Sequence, residues 1–132
     1  MTKSPTEKNC KIIVTYYGNR PPKIKDPTEI MTILAEVMDN DISIDKGLPC
    51  DTIIVNNSTD NKEFVSFLKK YNNKKTKNGI IKVIKGNNIG VSFGGYNLAF
   101  QKLKYKYQNY WMFAEDDFTW TFENYFKDGV DI

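Results

Sequence analysis

The chain of 132 residues contains no histidine and only two cysteines, Cys10 and Cys50. The absence of histidine excludes acid–base mechanisms that use an imidazole. The two cysteines lack the CxxC spacing of zinc-binding sites. We expect two reduced thiols. A disulfide is the alternative, because each cysteine precedes an apolar run and the two runs can be neighbouring strands.

The sequence also has little arginine and no long apolar run. Arg20 is the only arginine, which leaves few of the bidentate contacts usual in nucleic-acid-binding proteins. The net charge of +3 is too small to favour a polyanionic partner. No apolar stretch approaches the roughly 20 residues of a membrane helix, and the polar start lacks the apolar part of a secretory signal. We therefore expect no nucleic-acid partner, no transmembrane segment and a cytoplasmic location.

Short apolar, β-branched runs alternate with amphipathic segments along the chain. The runs predict strands at residues 11–17, 51–57, 79–85 and 110–114. The amphipathic segments between them predict three helices. The first helix is expected to begin with Asp26 as N-cap and Pro27 at its first position, and to give way to a polar connection from Asp39. The second is expected to begin with Asp60 and Glu63 as a capping box.

This alternation predicts an α/β fold with a Rossmann-like open, mostly parallel sheet and helices on both faces. The length fits a single domain, residues 1–132, in which residues 1–10 are expected to be a polar, flexible N-terminus. In such sheets, ligands bind beyond the carboxyl ends of the strands. We expect one polar rim there, formed by Thr15, Tyr16 and Tyr17, by Asn56, Asn57 and Ser58, by Gly86, Asn87 and Asn88, and by Glu115, Asp116 and Asp117.

Three carboxylates, Glu115, Asp116 and Asp117, directly follow the fourth predicted strand. Like charges at this spacing repel one another, so the arrangement is unfavourable unless a cation or strong hydrogen-bond donors share the site. Oxygen ligands of this type suit a hard divalent cation. The triplet therefore predicts a metal site at the rim.

The order of elements, the turn Asn88-Ile89-Gly90 and the acidic triplet together resemble the GT-A glycosyltransferases, particularly the inverting family 2 type. The resemblance spans nearly the whole chain and corresponds to the N-terminal, donor-binding half of that family. It implies the nucleotide-sugar-binding form of the Rossmann-like fold. It also implies a metal-dependent enzyme of the hexosyltransferase type, which transfers a sugar from a nucleotide-diphosphate donor to a glycan, lipid or protein acceptor.

In that family the acidic motif is D-x-D or a variant such as E-D-D. By the resemblance, Glu115 approaches the ribose of the donor, and Asp117 binds the Mn²⁺ or Mg²⁺ that bridges the diphosphate, with Asp116 behind them. The chemistry agrees, because a metal stabilises the charge on a departing nucleoside diphosphate. The nucleotide-sugar-binding residues implied by the resemblance are Thr15, Tyr16, Tyr17, Asn56, Asn88, Gly90, Glu115 and Asp116.

The chain departs from the family pattern at the expected base and diphosphate sites. A UDP-sugar is the favoured donor, but Asn56 and Asn57 replace the family's acidic pair, which leaves another base open. The family's arginine after the N-x-G turn is absent. The diphosphate charge is then left to the metal, to Lys85 or to amides near Gly94 and Gly95 at the start of the third helix.

The tail, residues 118–132, gives less information. Alternating aromatic and threonine residues predict either a strand that extends the sheet or a wall on the acceptor side, and residues 123–129 predict a short helix. The candidate general bases Glu123, Asp128 and Asp131 belong to no motif, so the catalytic base is unknown.

Two other functions remain open. The first is a non-catalytic nucleotide-sugar or metal-binding module that needs another chain for activity, and the aromatic residues around Trp120 are a possible homo-oligomer interface. The second is a phospho-receiver, which needs acidic residues after the first strand, where this chain has Tyr16 and Tyr17.

Overall fold

The computed structural model describes residues 9–17, 29–87, 91–107 and 109–131, without the side chains of residues 91–93. Its elements in chain order are β1 Asn9–Thr15, α1 Glu29–Ser43, β2 Cys50–Asn56, α2 Lys62–Lys69, β3 Ile81–Lys85, α3 Val91–Leu103, β4 Trp111–Ala114 and α4 Tyr125–Val130. None of the helices in these ranges is long and apolar enough to cross a membrane.

The four strands form one parallel sheet in the order β3-β2-β1-β4. Side chains alternate between the two faces of a strand, so Ile13 of β1 packs with α1 and α2, whereas Ile12 and Val14 pack with α3. The predicted fold, an open parallel sheet with helices on both faces, is confirmed. The strand order matches that of the first four strands of the Rossmann fold, and it differs from the flavodoxin-like order expected of a phospho-receiver.

The observed element ends differ from the predicted ones by a few residues. β1 begins at Asn9, so the predicted flexible N-terminus is wrong at Asn9 and Cys10, which are both buried. α1 continues to Ser43 because Asp41 is drawn into the interior, whereas a polar connection was expected from Asp39. The predicted cap residues of α1, Asp26 and Pro27, lie outside the described residues.

The start of α2 corrects the predicted capping box. Asn61, and not Asp60, is the N-cap, because its backbone is extended and its side-chain oxygen accepts a hydrogen bond from the Phe64 N–H at 2.9 Å. Asp60 lies in the turn before the helix. The sequence placed the cap one residue too early because both residue types are good N-caps.

The described part of the tail, residues 118–131, forms a loop and a helix but no strand. The backbone N–H of Trp120 donates to Asn40 Oδ1 at 3.0 Å, and the backbone oxygen of Trp120 accepts from Asn40 Nδ2 at 2.8 Å. Since a side chain of α1 satisfies these two groups, they are not used in a sheet, and the predicted strand extension is wrong. The short helix is confirmed as α4.

A polar cluster is buried between α1, β1 and β2. Asp41 accepts a hydrogen bond from Lys11 Nζ at 3.0 Å and one from Thr52 Oγ1 at 2.7 Å, and it lies 3.2 Å from Lys46 Nζ. Lys11 also donates to the Tyr125 hydroxyl at 3.0 Å. Burial lowers the pKa of Lys11 because the ammonium group loses hydration. Burial opposes ionisation of Asp41, but the two lysine charges outweigh it and hold the Asp41 pKa below its usual value.

The cysteines lie in adjacent strands on opposite faces of the sheet. The register of β1 and β2 pairs Cys10 with Asp51 and Cys50 with Asn9, so the two side chains point away from each other. Both are free and buried, as the reduced-thiol prediction requires. Burial raises the pKa of the Cys50 thiol to about 12, which keeps it protonated and unreactive at neutral pH.

The two edges of the sheet differ in their protection. On the β3 edge, the Val83 N–H donates to Asn72 Oδ1 at 2.9 Å, and Lys82 donates to Asn73 Oδ1. On the opposite edge, β4 pairs only with β1 within the described ranges, and its four residues carry no charge. Capping side chains and lysines are typical protection for an edge strand. In the described ranges β3 has both, whereas β4 has a side-chain contact from the Tyr96 hydroxyl at Ala114.

Candidate functional site

The carboxyl ends of the strands form the rim that the sequence predicts. Lys85, Asn56 and Thr15 are neighbours across β3, β2 and β1. On β4, Asp116 lies two residues beyond Ala114, which pairs with Ile13, so Asp116 reaches the level of Thr15. The strand order reverses between β1 and β4. Ligands bind at such a switch point, and the acidic residues stand there.

Residues 115–117, which we call the acidic turn, follow β4 directly. Asp116 is only 5% exposed, whereas Glu115 and Asp117 are exposed to solvent. In the part of the chain that the structure describes, no lysine pairs with Glu115 or Asp117. The turn therefore presents two carboxylates to solvent and directs the third inward.

Tyr96 of α3 fixes the end of β4 beside the acidic turn. Its hydroxyl donates to the backbone oxygen of Ala114 at 2.8 Å, and its ring packs on Phe113 with the centroids 5.1 Å apart. Burial, followed by the charges of Glu115 and Asp116, raises the pKa of Tyr96. Tyr96 thus stays a neutral donor at physiological pH. The helical period predicted an apolar-face position for Tyr96, and nothing in the sequence indicated this contact.

A groove of about 640 Å³ adjoins the acidic turn. Its volume lies within the range of small-molecule sites. Its lining residues are Met112, Phe113, Ala114, Glu115, Asp117, Phe118 and Trp120. The alternation of aromatic residues in the tail was the sequence signal for part of this wall, whereas Met112 and Phe113 were read only as strand residues.

The expected binding site for the nucleotide base, on β1 and β2, is formed in part. Thr15 Oγ1 is buried and has no hydrogen-bond partner among the described residues. Asn56 Oδ1 accepts from the Ser58 N–H at 2.8 Å, so only Asn56 Nδ2 remains to donate to a ligand. The Tyr17 ring packs against Phe64 with the centroids 5.8 Å apart, so it is partly buried against the core.

The other expected site residues have different environments. Lys85 is on the far edge strand, three strand spacings or roughly 14 Å from β4. Gly95 lies inside α3, where a Cβ would come within 2.5 Å of Val14 Cγ1, so its role is close packing. Tyr16 is partly buried after β1. Asn88 and Gly90 lie outside the described residues.

The candidate general bases do not line the groove. Glu123 accepts a hydrogen bond from the backbone N–H of Asp45, beyond the end of α1, and Asp131 pairs with Lys127. Neither these two nor Asp128 is among the residues that line the groove. Within the described chain, the carboxylates available to a ligand in the groove are therefore those of the acidic turn.

The metal expected at the acidic turn has no complete set of protein ligands in the described chain. Across the described ranges, no three His, Cys, Asp or Glu side chains are grouped closely enough to hold a metal by themselves. Glu115 and Asp117 line one groove and have no cationic partner there. Mg²⁺ commonly binds one or two carboxylates and takes its other ligands from water and substrate phosphates. The two carboxylates could therefore supply part of the ligand set of a hard divalent cation, with the other ligands coming from outside the described residues.

Comparison with known proteins adds no relative to this description. No protein-family profile, curated protein or solved structure is significantly similar to the chain. The assignment of function therefore depends on the topology of the sheet and on the chemistry of its rim.

Proposed function

We propose that the chain is the donor-binding part of a metal-assisted glycosyltransferase of the GT-A, family 2-like type. The observation that carries the proposal is a pair of exposed carboxylates, Glu115 and Asp117, which have no lysine partner in the described chain and stand at the switch point of a β3-β2-β1-β4 sheet. Like charges this close in sequence repel one another, so a bound cation would stabilise the turn.

The chain's own residues divide the donor between two parts of the rim. Asp117 would hold Mn²⁺ or Mg²⁺, and Glu115 would accept hydrogen bonds from the ribose hydroxyls. Asn56 Nδ2 and Thr15 Oγ1 would donate to carbonyl oxygens of the base, for which uracil is suitable. A cation at Asp117 supplies charge stabilisation to the departing nucleoside diphosphate.

Asp116 and Tyr96 would support this arrangement from below. Asp116 is buried under the acidic turn, and Tyr96 ties the last carbonyl of β4 to α3. These contacts keep the turn in one conformation before a ligand arrives, and such preorganisation reduces the entropic cost of binding.

The alternative is a binding module without turnover, and one observation favours it. Glu115 and Asp117 are the only carboxylates that line the groove in the described chain, and both are assigned to the donor. No further carboxylate is left there to accept the proton of an acceptor hydroxyl. An assay of donor hydrolysis separates the two functions, because only the enzyme releases the nucleoside diphosphate.

The first test is calorimetric titration with UDP and GDP, each in Mn²⁺ and in EDTA. We expect Asp117→Asn to abolish the metal-dependent part of nucleotide binding without unfolding the protein, because the side chain is exposed. Asp128→Asn is the matched control, since it removes an exposed carboxylate from α4. Equal nucleotide affinity in the wild type and in Asp117→Asn, with and without EDTA, would falsify the assignment.

A further inference from the structure

The loop between the acidic turn and α4 carries three aromatic residues in alternation. The Trp120 indole lies nearly parallel to the buried Tyr125 ring, with the centroids 4.3 Å apart and an interplanar angle of 10°. Phe118 and Phe122 each meet Trp120 edge to face, at 5.1 Å and 5.8 Å. Phe118 and Trp120 line the groove, whereas Phe122 does not.

This aromatic wall is held in place by contacts to α1 and its C-terminal end. Asn40 binds both backbone polar groups of Trp120. The backbone N–H of Asn124 donates to the oxygen of Asp45 at 2.6 Å, and Glu123 accepts from the Asp45 N–H. A loop fixed at three points loses little entropy when a ligand binds, so the wall is preformed.

The groove combines an exposed aromatic surface with two carboxylates at one end. Phe118 is 53% exposed although it is large and apolar. An acyl chain would fill the apolar part but would leave the carboxylates unused, and burying them would be unfavourable. A sugar ring satisfies both parts, because its C–H face packs on an aromatic ring while its hydroxyls donate to carboxylate oxygens.

We infer that this groove binds a carbohydrate acceptor, with one sugar ring stacked on the exposed Phe118 ring beside the edge-to-face Trp120 and its hydroxyl edge directed towards those oxygens of Glu115 and Asp117 that the donor and the metal leave available. The groove volume accommodates more than one ring, which fits a short glycan rather than a monosaccharide alone. The inference rests on the proposed function in calling this sugar the acceptor. The binding itself needs neither metal nor nucleotide.

The test uses the Trp111→Phe protein, in which Trp120 is the only remaining tryptophan and reports on the groove. Maltose, cellobiose and chitobiose are titrated in EDTA without nucleotide, and the tryptophan emission is followed. We expect a saturable change with at least one disaccharide. Phe118→Ala should weaken that binding about tenfold or more, whereas Phe122→Ala should leave it within about twofold.

The two phenylalanine variants are matched, because the side chains are similarly exposed, at 53% and 51%, and both contact Trp120. They differ in whether they line the groove. Phe118→Leu serves as a second variant that keeps the apolar volume and removes the aromatic face, and it should lose sugar binding as Phe118→Ala does. UDP titrations of the same variants in Mn²⁺ keep the donor and acceptor results separate.

Three results would overturn the inference. The first is the absence of a saturable response to every disaccharide. The second is an equal loss of binding in Phe118→Ala and Phe122→Ala. The third is a response to octyl glucoside below its critical micelle concentration with none to the free sugars, which would assign the groove to an alkyl chain. Failure of these experiments with intact UDP binding refutes the acceptor site alone. Failure of UDP binding with intact sugar binding refutes the proposed donor function.

Discussion

Two lysines and one aspartate share the buried cluster between α1, β1 and β2. Within the described residues, Asp41 is the only carboxylate that pairs with Lys11 and Lys46. Removing one partner of a buried ionic group leaves the others without compensation, which is far more costly than losing a surface pair. Asp41→Asn should therefore lower the free energy of unfolding by about 3–5 kcal/mol in urea denaturation. Asp39→Asn, an exposed change on the same helix, should lower it by less than about 0.5 kcal/mol.

The pH dependence of the free energy of unfolding provides a second test of the role of Asp41. The Asp41 pKa is lower in the folded protein than its usual 3.8, so between these two values the unfolded chain binds more protons. The stabilisation by Asp41 is therefore complete above pH 3.8 and is lost as the pH falls through the folded pKa. In the Asp41→Asn protein, the free energy of unfolding measured by chemical denaturation should fall less steeply as the pH decreases through this range. A decrease as steep as in the wild type would show that other groups cause the acid sensitivity.

At this scale, the sequence predicted the exposed charges better than the buried ones. The acidic turn could be located because it follows a predicted strand directly. Lys11, Asp41 and Lys46 could not, because charged residues are rarely buried without a partner and the partners here are separated by up to 35 positions. Only the tertiary fold brings their side chains together.

At the scale of elements, the corrected cap of α2 gives a direct comparison of two adjacent residues. Asn61→Ala removes the oxygen that accepts from the Phe64 N–H, and should lower the free energy of unfolding by about 1 kcal/mol. Asp60→Ala removes no such bond and should have an effect below about 0.5 kcal/mol. Thermal or urea denaturation of both variants measures the difference. An effect of Asp60→Ala as large as that of Asn61→Ala would contradict the assignment of Asn61 as the N-cap.

The strands and helices could be predicted because each apolar run follows the local hydrophobic pattern of the element that it forms. β1 and β2 are buried along their full length, which is why their sequences are continuous rather than alternating. The strand predicted in the tail was wrong because there the local pattern does not match the structure. Phe118, Trp120 and Phe122 alternate like a strand, but Asn40 binds the Trp120 backbone and holds the segment as a loop. A contact across the fold overrode the local pattern.

At the scale of the whole molecule, the proposed site couples metal and nucleotide. The protein offers two exposed carboxylates, and a diphosphate offers the remaining oxygens, so each ligand should strengthen the binding of the other. UDP with Mn²⁺ should raise the melting temperature, by an amount equivalent to about 2.7 kcal/mol at a hundred times Kd. UDP in EDTA and Mn²⁺ alone should each give a much smaller rise. Additive rises from the separate ligands would argue against a shared site.

The rim as a whole was predicted from the sequence more accurately than its details. The ends of parallel strands meet by topology, so the position of the acidic turn relative to Thr15 and Asn56 follows from the strand order alone. The inward direction of Asp116 and the place of Tyr17 against the core depend on packing that no local pattern specifies.

The unequal protection of β3 and β4 limits how copies of this sheet can associate. Edge-to-edge fibre growth needs every copy to be both donor and acceptor, with an accessible strand on each side. Asn72 and the Lys82–Asn73 pair cover the β3 side, while β4 has no second strand beside it within the described chain. Backbone pairing of two molecules through β4 would leave the two β3 edges, which these side chains cover in the described chain, at the ends of the joined sheet. Such pairing favours association of two molecules over a linear polymer.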